Sequence, residues 1–259
     1  MRITIYSKEE NQDIALRVSV LAKERGFIID EENPEVVISV GGDGTFLRAV
    51  QKYLSKLDSI RFVAVNFGTL GFFAQYQKEE LDQFFDDLKN NNYQVKQHKL
   101  LNGIAQYEGE KEVSFYAINE VRIENPFRTL TCDVYINNEL LESFRGNGLI
   151  FASSIGSSAY NKSLGGALVD ISIPSIQLTE IASIENNLYH SLGSSLVVDE
   201  NTTLKAMGKF NKSVVGYDSN FIDKENLTSL EVKLSDKKIN IIYRKDFSLV
   251  KMYRKSFVK

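Results

Sequence analysis

An apolar run that ends in a glycine-rich turn limits most strongly how this chain can fold. Residues 36–40 read Val-Val-Ile-Ser-Val, and residues 41–45 read Gly-Gly-Asp-Gly-Thr. A continuous run of this kind is typical of a strand that is covered on both faces. Helical spacing follows at Phe46, Leu47 and Val50. The stretch therefore predicts a buried strand, a tight turn and a helix, which is the repeating unit of a parallel sheet.

The same alternation extends over the first 98 residues. Strand-like runs at 3–6 and 62–65 alternate with helical stripes at 14–22 and 81–88. Because strands that alternate with helices form parallel sheets with covering helices, residues 1–98 are expected to form a Rossmann-like α/β domain.

Beyond residue 100 the pattern changes to short β-rich runs. Polar turns such as Asn137-Asn138 and Asp236-Lys237 separate them. The runs are 113–118, 130–136, 148–152, 195–198, 213–217, 229–234 and 238–243. Short strands with frequent turns indicate an antiparallel sandwich. We expect an all-β sandwich domain over 99–246 and an α+β protein overall.

Composition excludes several classes of protein. The chain has 31 Lys and Arg against 34 Asp and Glu, which gives no global reason to expect a nucleic acid partner. No apolar run approaches the ~20 residues of a membrane span, and charges near the start argue against a signal peptide. With Cys132 as the single cysteine, neither an intramolecular disulfide nor a Cys-based zinc site is expected. We predict a cytoplasmic protein with no membrane partner and no metal site built from its side chains.

The turn at residues 41–45 carries the first chemical signal. Gly41, Gly42 and Gly44 remove side-chain bulk, so that a phosphate can reach backbone N–H groups at Thr45 and the start of the helix. The turn matches neither a Walker loop nor GxGxxG. Asp43 has two interpretations: it caps the helix, or it orients a hydroxyl and accepts its proton or holds a magnesium ion.

Three further blocks carry weaker signals. Residues 66–73 read Asn-Phe-Gly-Thr-Leu-Gly-Phe-Phe, and the two aromatic residues Phe72 and Phe73 either line a pocket or pack in the core. Asn119 and Glu120 suit the hydroxyls of a sugar, although such a pair is also common on surfaces. Residues 157–167 are rich in small residues, which lets a dinucleotide lie against the backbone or a helix pack closely on a sheet.

Together these blocks resemble the NAD kinase family. GGDGTFL by itself also resembles the diacylglycerol and sphingosine lipid kinases and, more distantly, the phosphofructokinases. The other blocks, including Arg145-Gly146-Asn147-Gly148, resemble NAD kinases alone and follow the family order along nearly the whole chain. The resemblance implies transfer of a phosphoryl group from ATP or polyphosphate to the adenosine 2′-hydroxyl of NAD, which makes NADP.

The resemblance also implies the roles of particular residues. Asp43 would be the catalytic proton acceptor, and Mg²⁺ or another divalent cation would accompany ATP. The chain would form a homotetramer built as a dimer of dimers, and residues 247–259 would return to the first domain. The residues that would hold NAD are Asp43, Gly44, Phe72, Asn119, Glu120, Arg145, Asn147, Ser158, Ala159, Tyr160, Asn161, Lys162, Ser163 and Ala182.

The sequence departs from the family pattern at some positions. Asn147 replaces the usual aspartate of RGDG, Ser154 replaces a proline, and Asp218 is a weak candidate for the site. Two alternatives stay open, the first because of Asn147 and the second because lipid kinases share GGDGTFL. One is a dinucleotide-binding sensor with weakened catalysis. The other is a diacylglycerol-type lipid kinase, although the Asn-Asp block expected there does not follow Gly68-Thr69.

Overall fold

The computed structural model describes residues 1–68 and 71–258, and the chain divides into two compact units. Unit 1 comprises Met1–His98 and Lys237–Lys259, and unit 2 comprises Lys99–Asp236. We expected the chain to return to the first domain at about residue 247. In the structure the change of unit falls inside a strand, between Asp236 and Lys237.

Unit 1 is an α/β unit. In chain order it contains β1 (Arg2–Ser7), α1 (Gln12–Glu24), β2 (Ile28–Ile29), β3 (Val36–Val40), α2 (Asp43–Lys52), β4 (Arg61–Asn66), β5 (Ala74–Gln77), α3 (Leu81–Lys89) and the first part of β6 (Tyr93–Tyr107). Strand β1 pairs in parallel with β2 and β3, and β4 pairs in parallel with β3 and β5. The predicted Rossmann-like sheet is confirmed.

The core of unit 1 explains why these segments adopt this order. All five residues of β3 are buried, as the apolar run predicted. Apolar faces of the helices cover the sheet with Val18, Phe46 and Phe85, each at most 1% exposed. Burying one such side chain contributes about 1.5–3 kcal/mol, so a few of these contacts fix the helices on the sheet. The carboxyl end of β3 is thereby held where the glycine turn begins.

Unit 2 consists almost entirely of strands. After the second part of β6 come β7 (Val113–Ala117), β8 (Glu120–Glu124), β9 (Leu130–Ile136), β10 (Glu139–Gly146), β11 (Gly148–Ser153), α4 (Tyr160–Ser163), β12 (Ser175–Ile181), β13 (Leu196–Asp199), β14 (Leu204–Phe210), β15 (Val214–Tyr217), β16 (Asn220–Ile222) and β17 (Leu227–Arg244). Unit 1 ends with α5 (Leu249–Tyr253) and the helical turn Arg254–Val258.

Two antiparallel layers enclose the core of unit 2. One has the order β13-β12-β11-β8-β15-β16, and the other contains β10-β9-β14-β17, with β6 beside β17 and β7 beside β6. Side chains of both layers meet in one apolar cluster that includes Val121, Phe144, Phe151 and Leu230. The predicted β-sandwich is confirmed.

Two predicted turns had different outcomes. Asn137 and Asn138 adopt φ angles of 49° and 69° in a two-residue turn between β9 and β10, as predicted. The turn predicted at Asp236-Lys237 is wrong, because both residues lie inside the single strand β17. Ser235 contributes to that strand by donating its hydroxyl hydrogen to the Leu100 carbonyl at 3.0 Å.

Among the residues that the structure describes, no helix is both long and apolar enough to cross a bilayer.

Candidate active site

The glycine turn joins β3 to α2 in unit 1. Gly41 has a φ of +145°, and an added Cβ would lie 2.5 Å from Thr45 Oγ1, so glycine is required there. Gly42 is the N-cap of α2, and Asp43 is the first residue of that helix. Added Cβ atoms at Gly42 and Gly44 would meet nothing within 4 Å. The turn therefore leaves the first N–H groups of α2 accessible to a ligand.

The Asp43 carboxylate binds a neighbouring loop instead of capping its helix. Oδ2 accepts from the Phe72 N–H at 2.8 Å, and Oδ1 accepts from the Phe73 N–H at 3.0 Å. Gly71 approaches so closely that an added Cβ would lie 2.3 Å from Oδ1. A carboxylate has about four lone-pair sites, so these two hydrogen bonds fix its orientation while leaving acceptor capacity on each oxygen.

The loop that holds Asp43 is anchored in the core of unit 1. Phe73 is 3% exposed and stacks on Phe46 with ring centroids 4.4 Å apart. Phe72 is half-buried, 6.0 Å from the Phe73 ring and 6.2 Å from the Tyr253 ring. The core interpretation therefore holds for Phe73, whereas the proposed contact of Phe72 with NAD stays a prediction. Two members of this block, Thr69 and Leu70, lie outside the described residues.

Asn119 and Glu120 lie at the start of β8 in unit 2. They are 7% and 5% exposed, which does not fit an ordinary surface pair. Asn119 Oδ1 and Glu120 Oε2 are buried, and neither has a hydrogen-bond partner within the described parts of the chain. Burial first and the Asp218 carboxylate second raise the pKa of Glu120 to about 8, while Arg122 opposes the shift. Two polar oxygens are therefore ready to bind a ligand.

An ionic network connects this strand to α4. Arg122 Nε contacts Glu124 Oε2 at 2.8 Å, and its Nη1 lies 3.8 Å from Glu120 Oε1. The Tyr160 hydroxyl donates to Glu124 Oε1 at 3.1 Å, and the Arg122 guanidinium lies 5.9 Å from the Tyr160 ring centroid. These contacts place the predicted residue Tyr160 close to the predicted residue Glu120.

The segment from Ser158 to Ser163 divides into a buried and an accessible part. Asn161 is fully buried, donates to Gln177 Oε1 at 3.1 Å and accepts from Thr179 Oγ1 at 2.8 Å. Its side chain thus anchors the segment to strand β12. The remaining predicted residues of the segment are half-buried or exposed: Ser158, Ala159, Tyr160, Lys162 and Ser163.

Arg145, Asn147 and Ala182 lie together where β11 begins and β12 ends. This is the end of the sheet opposite to Glu120, which pairs with Ala152. The Arg145 guanidinium lies 4.1 Å from the centre of the Tyr189 ring. Asn147 is exposed, and its backbone N–H donates to the last carbonyl of β12 at 2.8 Å. Ala182 follows β12 with a φ of +47°. The structure brings these three residues of unit 2 together, as one end of a long ligand would require.

Asp218 was only a weak candidate from the sequence, but it binds the backbone next to Glu120. Its carboxylate accepts from the backbone N–H groups of Ile118 and Asn119. No local pattern could reveal these contacts, because about 100 residues separate the partners. Two further carboxylates, those of Glu142 and Glu180, both accept from the Leu192 N–H at 3.1 Å, a contact that no pattern in the sequence indicates. Asp43 and its turn belong to unit 1, whereas the predicted residues from Asn119 to Ala182 belong to unit 2.

Comparison with family models gives two matches. Residues 6–93 match the model described as the ATP-NAD kinase N-terminal domain, and residues 118–243 match the ATP-NAD kinase C-terminal domain.

Curated relatives cover the whole chain. The NAD kinase of Leuconostoc mesenteroides is 37% identical over 260 residues, which are 100% of this chain and 98% of that relative. NAD kinase 1 of Bacillus anthracis is 36% identical over 263 residues, covering 100% of this chain and 99% of that relative.

Solved structures share the fold. The crystal structure of yeast NADH kinase complexed with NADH aligns with a TM-score of 0.84 at 16% identity, covering 100% of this chain and 87% of that one. An NAD kinase from Archaeoglobus fulgidus in complex with ATP aligns with a TM-score of 0.76 at 20% identity, covering 100% and 98%.

Proposed function

The chain belongs to the NAD kinase family, and from this premise we propose how its residues divide the work of phosphorylating NAD. The relatives do not favour a sensor or a lipid kinase, and the protein is an NAD kinase. In our proposal ATP supplies the phosphoryl group, the adenosine 2′-hydroxyl of NAD receives it, and Asp43 accepts the proton. The observation that carries the proposal is the Asp43 carboxylate, which two backbone N–H groups hold at the phosphate-binding turn.

The proposed reaction is a single phosphoryl transfer. The 2′-oxygen forms a bond to the γ-phosphorus, the bond from that phosphorus to the ADP oxygen breaks, and the hydroxyl proton moves to Asp43. A carboxylate is a weak base, but phosphoryl transfer has a loose transition state that requires mainly positioning and charge stabilisation. A carboxylate with a fixed orientation and spare lone pairs meets that requirement.

The glycine turn is the proposed site for phosphate groups. Space at Gly42 and Gly44 lets an anion approach the N–H groups that begin α2, and the helix terminus adds partial positive charge. Gly41 and Thr45 shape the proposed cradle without donating to it, because the Gly41 N–H donates to the Val65 carbonyl at 3.2 Å and the Thr45 N–H to the Gly42 carbonyl at 2.9 Å. The Thr45 side chain packs where a Gly41 Cβ would lie, which fixes the turn before any ligand binds.

Mg²⁺ fits this site as a partner of the nucleotide. Within the described residues, no group of three or more acidic, histidine or cysteine side chains could hold a metal. Mg²⁺ in kinases keeps several waters and is bound largely through substrate phosphates, so the phosphates of ATP would hold it and the Asp43 carboxylate would stay available for the proton. When bound, the cation would neutralise charge on the transferred phosphoryl group.

NAD recognition is assigned to unit 2. The unpartnered oxygens of Asn119 and Glu120 can accept hydrogen bonds from sugar hydroxyls. Arg145, Asn147 and Ala182 are assigned to the nicotinamide end. Further contacts are assigned to Gly44, Phe72 and the segment Ser158–Ser163, where the exposed Tyr160 ring can stack on a base.

The proposal also covers assembly and location. A homotetramer built as a dimer of dimers would cover apolar side chains of unit 2 that are now exposed, such as Phe127 at 80% and Leu188 at 82%. Cys132 is a buried free thiol, which suits the reducing cytoplasm. Mass determination by light scattering tests the tetramer.

The decisive experiment measures NADP formation by wild type and by Asp43→Asn. We expect kcat to fall by about 10²- to 10⁴-fold with folding retained, because the amide cannot accept the proton and its single oxygen can accept from only one of the Phe72 and Phe73 N–H groups. Asp13→Asn is a matched control, since Asp13 is an exposed aspartate in the first turn of α1. Full turnover by Asp43→Asn would refute its role. Parallel assays with NADH and with polyphosphate define the acceptor and the donor.

A further inference from the structure

Asp218 makes three hydrogen bonds to three consecutive residues of the Asn-Glu segment. Its carboxylate accepts from the Ile118 N–H at 2.9 Å and from the Asn119 N–H at 2.7 Å. Its own N–H donates to the Glu120 carbonyl at 3.0 Å. Asp218 is 6% exposed and adopts a φ of +47° between β15 and β16. One residue therefore holds the backbone of the whole segment from one side.

Strand β11 and the turn after it hold the same segment through other atoms. The Ser153 hydroxyl donates to the Ile118 carbonyl at 2.5 Å, and the Ser153 N–H donates to the Asn119 carbonyl at 2.9 Å. Gly156 packs so closely that an added Cβ would lie 1.9 Å from the Asn119 carbonyl oxygen. The backbone of Ile118–Glu120 is thus fixed, while two side-chain oxygens of Asn119 and Glu120 have no partner in the described chain.

The Asp218 carboxylate adds a negative charge beside a second buried acid. It lies near the buried Glu120 carboxyl, whose other charged neighbours are Arg122 and Glu124. A neutral acceptor could serve a backbone N–H without adding repulsion between two buried acids. A charged acceptor makes stronger hydrogen bonds, however, and one carboxylate can serve two N–H groups at once. A single carboxylate therefore orients two consecutive N–H groups of the segment.

We propose that Asp218 is a positioning residue, which holds the Ile118–Glu120 backbone so that the oxygens of Asn119 and Glu120 stay fixed for the hydroxyl groups of the dinucleotide. This inference rests on the proposed function of Asn119 and Glu120. It goes further by assigning their orientation to a residue about 100 positions away, which acts on NAD through them and not by contact with the reacting atoms.

The test is the Asp218→Asn variant of the full chain, with KM and kcat measured for NAD across pH 6–10. Asparagine offers one acceptor oxygen and turns N–H groups toward a backbone donor, so we expect KM for NAD to rise about 10- to 100-fold. We expect kcat to change less than threefold. Because the pKa of Glu120 is raised to about 8, we expect KM of the wild type to show an inflection near that pH, and in the variant this inflection should move to lower pH, since removing the Asp218 charge lowers the pKa of Glu120.

A matched control and a second variant keep the test decisive. Asp223→Asn makes the same change at an exposed position of unit 2 and should leave KM and the inflection unchanged. Ser153→Ala removes the hydroxyl bonded to the Ile118 carbonyl without changing charge, and should raise KM severalfold with no shift of the inflection. If Asp218→Asn does not fold, an unchanged KM in Ser153→Ala overturns the proposal.

Other outcomes separate this inference from the proposed function. In a folded Asp218→Asn protein, a KM within twofold of wild type, a loss confined to kcat or an unmoved inflection would each overturn the positioning role. Calorimetric titration of NAD into wild type tests the premise separately. A wild-type protein that neither binds NAD nor makes NADP would sink the proposed function itself.

Discussion

Asp43 in unit 1 and Asp218 in unit 2 each bind a loop backbone through the carboxylate, but the group that is held in place differs between them. Each carboxylate accepts from two consecutive backbone N–H groups, at 2.8 and 3.0 Å for Asp43 and at 2.9 and 2.7 Å for Asp218. The loop that binds Asp43 is anchored by the buried ring of Phe73, so the loop orients the carboxylate. Asp218 is itself buried and bonded through its backbone, so there the carboxylate orients the loop. The same pair of hydrogen bonds can thus prepare a reacting group or a binding surface.

The largest effect expected from this comparison comes from Gly71→Ala. The new Cβ would lie 2.3 Å from Asp43 Oδ1, so the carboxylate or the loop must move. A displacement of about 1 Å in a catalytic group costs on the order of 100-fold in rate, and we expect kcat to fall by about that factor. Measurement of NADP formation and of the thermal unfolding temperature separates a misplaced carboxylate from an unfolded chain.

Gly68→Ala is the matched control for that variant. An added Cβ at Gly68 meets nothing within 4 Å, and Gly68 belongs to the same loop. We expect its kcat to stay within twofold of wild type. Equal activity of Gly71→Ala and wild type would show that the orientation of Asp43 does not limit the reaction.

Local patterns predicted the parts of unit 1 that this comparison uses. The apolar run of β3 and the three glycines after it identified a buried strand, a turn and a helix, because each of these features depends on neighbours in sequence. The contact between Asp43 and the loop at Phe72 depends on residues about 30 positions away. The sequence therefore singled out Asp43 as a candidate, whereas its two N–H partners required the structure.

Unit 2 was less predictable for the same reason. Asn119 and Glu120 were identified by resemblance, yet nothing local distinguished a buried pair from an exposed one. The polar pair Asp236-Lys237 suggested a turn, but pairing of the long strand β17 with its neighbours overrides that local preference. Asp218 acts through a turn between β15 and β16, and its importance became visible only when the sandwich brought it to Ile118.

An effect of intermediate size is expected for Glu120→Gln on how stability changes with pH. The variant tests the burial of Glu120, which Asp43 does not share. The pKa of Glu120 is raised from 4.5 to about 8, so the folded state retains a proton that the unfolded state loses above pH 4.5. In wild type this group therefore stabilises the fold fully below pH 4.5, and that contribution is lost as pH rises toward 8. Glutamine mimics the protonated acid and has no such dependence.

The measurement is the thermal unfolding temperature at pH 5, 7 and 9. We expect the variant to gain on wild type between pH 5 and about 8, by a few degrees, and to keep a constant advantage above that pH. Glu225→Gln, at an exposed position of unit 2, should run parallel to wild type. Parallel curves for Glu120→Gln as well would contradict the burial of this carboxyl.

The smallest effect is expected from Asn147→Asp, which restores the residue that the family usually has. Asn147 is exposed, and its backbone N–H and carbonyl hold its position through hydrogen bonds at 2.8 Å to neighbouring strands. Its side chain adds one long contact, from Nδ2 to the Asn125 carbonyl at 3.5 Å. Since the backbone defines this position, we expect KM for NAD to change less than threefold, whereas Asn201→Asp, an exposed control in unit 2, should change nothing. A tenfold change in KM would mean that the side-chain charge at 147 contacts the dinucleotide directly. Exposed residues of unit 2 would then contribute as much to binding as the buried pair of Asn119 and Glu120.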